Sequence, residues 1–109
     1  MGKFVLKKGK DGQFYFNLKA GNGQIILSSE GYPVESAAVN GIESVRKNAS
    51  DEGHFERFVS SNGKPYFNLK AGNGQIIGKS ELYESTAAME KGIASVRTNA
   101  PEASIDKEY

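Results

Sequence analysis

The sequence predicts an α+β fold in which two pseudo-symmetric units share one antiparallel sheet, with two helices packed on one of its faces. Three observations carry this expectation. The segment YFNLKAGNGQII occurs at Tyr15 to Ile26 and again, unchanged, at Tyr66 to Ile77, inside an ungapped repeat of 51 residues that carries Phe4 onto Phe55 and Ala49 onto Ala100. The early part of each repeat alternates apolar and polar residues with the period of two that marks a strand. The later part has apolar residues at i, i+4 and i+7, the spacing of an amphipathic helix.

A unit of about 50 residues buries too little surface to be comfortably stable alone. The two repeats, about 4–53 and 55–109, are therefore expected to share one core as a single domain, 1–109. Two copies are too few for a solenoid. A pseudo-twofold arrangement, like a homodimer whose subunits were joined, is the economical alternative.

Each unit opens with a short run that includes Phe4 and Leu6, or Phe55, Phe58 and Val59, followed by Asp11-Gly12 or Asn62-Gly63, the chemistry of a hairpin turn. In the next strand Phe14, Phe16, Leu18 and Ala20 alternate with Tyr15, Asn17 and Lys19. The second copy has Pro65 in place of Phe14; lacking an amide hydrogen, Pro65 belongs at the start or the edge of its strand. Gly21-Asn22-Gly23 then supplies a tight loop, and a third strand runs from Gln24 to about Glu30.

After Tyr32 and Tyr83 the period changes, with Ala38, Ile42 and Val45 matched by Met89, Ile93 and Val96. Ser85 suits a helix N-cap, whereas Val34 cannot cap, so the first helix is expected to begin nearer Ser36. Arg46 and Arg97 complement the helix dipole in the last turn, and Asn48 and Asn99 are expected to end the helices in the left-handed region. Gly41 and Gly92 cost each helix about 1 kcal/mol relative to alanine, which points to close approach of helix and sheet. Ser104 to Tyr109 reads either as a closing strand or as a frayed tail.

Lys and Arg total 14 against 13 Asp and Glu, so no global field draws the chain to nucleic acid or an acidic membrane. With no cysteine, disulfides, thiolate metal sites and a cysteine nucleophile are excluded. The opening MGKFVLKKGKDGQ lacks an apolar core of signal-peptide length, and no window approaches the roughly 18 apolar residues of a membrane span. The expected location is cytoplasmic.

His54, the single histidine, has Lys3 and Ile105 at the equivalent positions, so no duplicated site depends on it; it reads as a solvated residue of the inter-repeat joint. No GxSxG elbow or Ser/His/acid arrangement is present. Glu30 and Glu81 recur in register, as a carboxylate pair if the pseudo-twofold brings them together, or as solvated strand-end charges. The GNG loop joins two strands and lacks GK[ST], so it reads as a hairpin rather than a phosphate cradle. No catalytic residues, metal ligands or cofactors are expected.

The candidate binding surface is the sheet face turned away from the helices. If Phe16, Leu18, Phe67 and Leu69 point at the helices, then Tyr15, Asn17, Lys19, Tyr66, Asn68 and Lys70 point the other way. Tyrosines on an open sheet stack bases or sugars, lysines meet phosphates and asparagines bond edges. Tyrosine and lysine are also ordinary on a half-exposed strand whose polar face is covered by water or by a partner chain. Candidate partners are thus single-stranded nucleic acid, carbohydrate or a protein, with no membrane and a monomeric chain of internal pseudo-dimer symmetry.

YFNLKAGNGQII paired with GIxSVRxNA, at Gly41 to Ala49 and Gly92 to Ala100, resembles the YegP-like family, small bacterial proteins built around a domain of unknown function. The resemblance covers nearly the whole chain. It implies β-β-β-α-β units, as tandem repeats or as two subunits, joined in one sheet with C-terminal strands exchanged. Phe55 to Val59 would then close the first unit as well as open the second, and Ser104 to Tyr109 would close the second. The family brings no catalytic or binding residues to transfer and no established function. The expected function is an uncharacterised, non-enzymatic small protein, a binding module using the open sheet face that the duplicated Tyr, Asn and Lys stripe suggests. Alternatively it is a structural adaptor docking a protein partner, with a small enzyme using paired carboxylates third.

Overall fold

The computed structural model describes residues 2–109; Met1, which falls within the expected domain 1–109, lies outside the described residues. In chain order the elements are β1 (Lys3–Lys8), β2 (Phe14–Lys19), β3 (Ile25–Ser28), α1 (Glu35–Asn48), β4 (Phe55–Val59), β5 (Pro65–Lys70), β6 (Ile76–Lys79), α2 (Thr86–Asn99) and β7 (Ser104–Lys107). The strands form one sheet ordered β4-β5-β6-β3-β2-β1-β7, antiparallel throughout except that β7 runs parallel to β1. This is the α+β fold of two tandem repeats.

Four loops of one design make the hairpins. Each closes with two backbone bonds, as in Ala20 N–H to Gln24 O and Gly23 N–H to Ala20 O, and each places its glycine at φ between +81° and +86°: Gly12, Gly23, Gly63 and Gly74. A side-chain oxygen of Asp11, Asn22 or Asn73 accepts the amide two residues on, which explains the Asn or Asp before Gly12, Gly23 and Gly74. Before Gly63 the Asn62 oxygen instead accepts from Ser60 Oγ, which takes the Lys64 amide. Pro65 is the first residue of β5, where no paired amide is required.

The repeats meet where β3 lies against β6, with Ser28 opposite Lys79 as the one registered pair. Ser28 and Lys79 are equivalent residues of the two repeats, so the pseudo-twofold axis passes through this pair. Beside it Leu27 and Gly78 are also equivalent, and a Cβ on Gly78 would lie 2.5 Å from a Leu27 methyl carbon. Two leucines do not fit on the axis.

Both helices cover one face, over a core shared by the repeats that includes Phe4, Phe16, Leu18, Ile42, Val45, Phe67, Leu69, Ile93 and Val96. Ser85 caps α2, its Oγ accepting from Ala88 N–H. Helix α1 begins at Glu35, one residue before the expected Ser36, with Val34 making no side-chain cap.

The helices do not end in the left-handed region. No non-glycine residue has positive φ among the described residues. Instead the Asn48 and Asn99 side chains turn back and donate to the carbonyls of Ser44 and Ser95, and the backbone runs on helically into Ala49 and Ala100. Strand β3 stops at Ser28 rather than Glu30. Ser29 Oγ accepts from Phe16 N–H and donates to Glu30 O, stitching the strand end, and Ser80 repeats both bonds with Phe67 and Glu81.

Gly41 and Gly92 make room for tyrosine rings, not for strand backbone. A Cβ at Gly41 would lie 2.5 Å from Tyr32 Oη, and one at Gly92 would meet Tyr83 Oη. The two rings stack on Phe16 and Phe67, with centroids 6.2 Å apart in each repeat. Burial, reinforced by the charges of Glu30 and Glu81, raises both phenol pKa values above 10.0.

A raised tyrosine pKa favours folding below pH 10, and that stability is lost as pH climbs through the folded-state value. Tyr83 Oη is buried without a partner. Tyr83→Phe is therefore expected to stay within about 0.5 kcal/mol of wild type at neutral pH and to lose less stability above pH 10. Denaturation midpoints followed across that range check both.

The C-terminal segment is a strand. Arg46 holds it, donating to Ala103 O while its guanidinium lies 5.6 Å from the centroid of the Phe4 ring. Glu108 N–H bonds Leu6 O, and Tyr109 meets Phe14 edge-on at 5.4 Å. The second repeat thus closes the first.

The exchange runs one way only. Phe55–Val59 pairs with β5 alone, because the residues that would close the first repeat are those that open the second, and one segment cannot pair with itself. At the resulting edge Arg57 replaces the buried Leu6 of β1. Its guanidinium bridges Glu52 and Glu90, so inward-facing charge blunts the edge.

Candidate functional site

The face opposite the helices carries one transverse row across all seven strands: Asp106, Val5, Asn17, Ser28, Lys79, Asn68 and Glu56 are successive registered neighbours. Strand alternation therefore places Tyr15, Asn17, Lys19, Tyr66, Asn68 and Lys70 on this face. The two triplets are not adjacent, since β3 and β6 stand between β2 and β5.

Both tyrosines are already engaged. Tyr15 Oη donates to Asp11 Oδ2 at 2.7 Å, which lowers the Asp11 carboxyl pKa and raises that of the phenol. The Tyr66 ring stacks on Phe58 at 5.3 Å, and Lys79 Nζ lies 5.3 Å from the same centroid. Lys70 pairs with Glu56 at 2.7 Å. Lys19 lines a separate hollow with Lys3 beside the Gly21–Gly23 loop.

Between the triplets lies a cleft of about 580 Å³ over the β3–β6 seam. Its lining comes in pairs related by the pseudo-twofold: Ile25 and Ile76, Leu27 and Gly78, Ser28 and Lys79, Ser29 and Ser80, Glu30 and Glu81. Asn68 is the one residue of the six that joins them. It is 8% exposed, and its Oδ1 has no hydrogen-bond partner.

Glu30 and Glu81 both reach this cleft, but not as a dyad. Continuing the Ser28–Lys79 register sets their backbones four residues apart along the seam, about 13 Å at 3.3 Å per residue. His54 lies elsewhere, half-exposed in the turn before β4, with Nε2 3.4 Å from Asp51 Oδ2.

Alternation within each strand located the face, while the cleft depends on which strands meet across the axis. One signal for it lay in the repeated segment itself. Gln24-Ile25-Ile26 and its copy place an isoleucine on the open face at 42% and 38% exposure, and both line the cleft.

The fold and this face define a duplicated β-β-β-α module that presents an open sheet with a cleft on its internal symmetry axis. The chain belongs to the family described as domain of unknown function DUF1508, whose model it matches twice, at residues 10–56 and 60–106. It is similar to a UPF0339 protein of Pseudomonas aeruginosa, 55% identical over 106 residues, covering 97% of this chain and 96% of that one. A UPF0339 protein of Acinetobacter baylyi is 52% identical over 104 residues, 95% and 94% of the two chains.

Two solution structures share the fold. The UPF0339 protein of Shewanella oneidensis superposes with a TM-score of 0.92 at 51% identity, over 97% of this chain and 90% of that one. The protein of unknown function yegP from E. coli gives 0.93 at 48% identity, over 98% and 92%. The YegP-like resemblance is thereby a family membership. Among the described residues, no helix is long and apolar enough to cross a membrane.

Proposed function

We propose that this chain is a non-enzymatic, cytoplasmic binding module that uses its open sheet face, with the cleft over the β3–β6 seam as the centre of the site. The observation that carries the reading is Asn68, a buried amide with a free acceptor lining a cleft whose volume falls in the roughly 300–1,000 Å³ range of small-molecule sites. An unpaired buried acceptor costs about 1–3 kcal/mol, which a ligand donor would recover. The separation of Glu30 and Glu81 argues against paired-carboxylate catalysis.

A protein-docking role is the second reading. Val59, 70% exposed at the free edge of β4, favours it. Chemical-shift titration of the labelled chain with a single-stranded oligonucleotide, an oligosaccharide and a linear polyamine tests the first reading. Saturable shifts are expected at Asn17, Ser28, Asn68 and Lys79. A face that answers none of these ligands would sink it.

A further inference from the structure

The charge and shape of the cleft narrow the ligand class, on the premise that the cleft is the binding site. Its charged lining residues are Glu30, Glu81 and Lys79. Lys79 leans onto the Tyr66 ring, 5.3 Å from its centroid, which draws its ammonium aside. The two carboxylates stand toward opposite ends, related by the pseudo-twofold, with Ile25 at the Glu81 end and Ile76 at the Glu30 end. Among the described residues the Glu81 carboxylate receives a single neutral donor, Gln24 Nε2 at 3.3 Å.

A phosphodiester or other polyanion would meet two carboxylates here, so the arrangement disfavours nucleic acid. A ligand matching the symmetry has two like ends, both cationic, joined by an apolar chain. Asn68 supplies the independent requirement. Its buried Oδ1 needs a donor from the ligand, and an N–H within the chain provides one.

We propose that the cleft binds a linear aliphatic polyamine, its terminal ammonium groups on Glu30 and Glu81, its methylenes over Ile25 and Ile76, and an internal N–H on Asn68 Oδ1. Ammonium–carboxylate bonds in a half-enclosed cleft are charge-assisted, and methylenes displace water from isoleucine surface. Affinity is expected to fall with added salt, as it does for exposed charge pairs.

Spermidine is the probe, titrated into the intact labelled chain, with Mg²⁺ as a dication of the wrong shape. Saturable shifts are expected at the amides of Ile25, Ser28, Asn68 and Ile76, with none of that pattern from Mg²⁺. The double variant Glu30→Gln/Glu81→Gln is expected to raise Kd about tenfold or more, and Asn68→Ala to weaken binding separately. Both glutamates are exposed, and the unliganded variant spectrum shows whether the fold is kept.

Equal shifts from Mg²⁺, or wild-type affinity in the double variant, would overturn the proposal. If spermidine fails while the oligosaccharide or oligonucleotide shifts the face, the polyamine assignment falls and the binding-module reading stands. Silence toward all three overturns both.

Discussion

Deleting Ser104 to Tyr109 is expected to lower stability by about 3–5 kcal/mol and to turn the chain into an associating species. Strand β7 covers the outer edge of β1, whose Phe4, Val5 and Leu6 are all 0% exposed in the intact protein. Truncation uncovers that edge and removes Ile105 from the core margin, while Arg46 keeps its acceptor on Ala103. Against a typical total of about 5–15 kcal/mol the loss is large.

A bare β1 edge has lysines only at its ends and, at Leu6, no inward-facing charge like that of Arg57 in β4, so its apolar centre is expected to pair with other chains. Denaturant midpoints and size-exclusion elution measure the two effects. A synthetic peptide spanning Ala103 to Tyr109, added to the truncated protein, is expected to restore much of the midpoint. An unchanged midpoint after truncation would show that β7 is ornamental.

The second large effect is expected on the symmetry axis. Gly78→Leu, which makes the repeats identical there, is expected to cost about 2–3 kcal/mol. The side chain it meets is Leu27, 1% exposed, and the clash involves Leu27 Cγ at 2.6 Å as well as its methyl groups, so turning χ2 alone does not relieve it and the whole buried side chain must move. Leu27→Gly alone opens a cavity and is expected to cost about 3 kcal/mol or more.

Together the two changes exchange the roles of the repeats. The double variant is expected to be more stable than the sum of its parts by at least about 1 kcal/mol. Strict additivity in a double-mutant cycle would mean that these residues do not share one space. A tandem chain can hold a leucine opposite a glycine, whereas an exact homodimer of one repeat must put the same residue on both sides.

Local chemistry explains what was readable in the sequence. The glycine loops, the alternation that turns Tyr15 and Tyr66 outward, the Ser85 cap and the Pro65 strand start all follow from residues within a few positions of one another. The Asn48 ending differs from the expected left-handed turn because its side chain takes the carbonyl of Ser44, a local competition that spacing does not settle.

The rest depends on distant partners. The tyrosine rings beneath Gly41 and Gly92 come from the loop after β3, nine residues away along the chain. The cleft exists because β3 meets β6, and its acceptor Asn68 differs from its twin Asn17, which stays outside the lining. Duplicated letters do not reveal that asymmetry.

The parallel pairing of β7 with β1 also orders events in time. Lys3 lies against Ser104, so the first strand synthesised receives its outer neighbour only about a hundred residues later. At about 5–20 residues per second that is a wait of roughly 5–20 s. Through it the nascent first repeat carries an unpaired hydrophobic edge, and the sheet is completed by the strand of its seven that is made last.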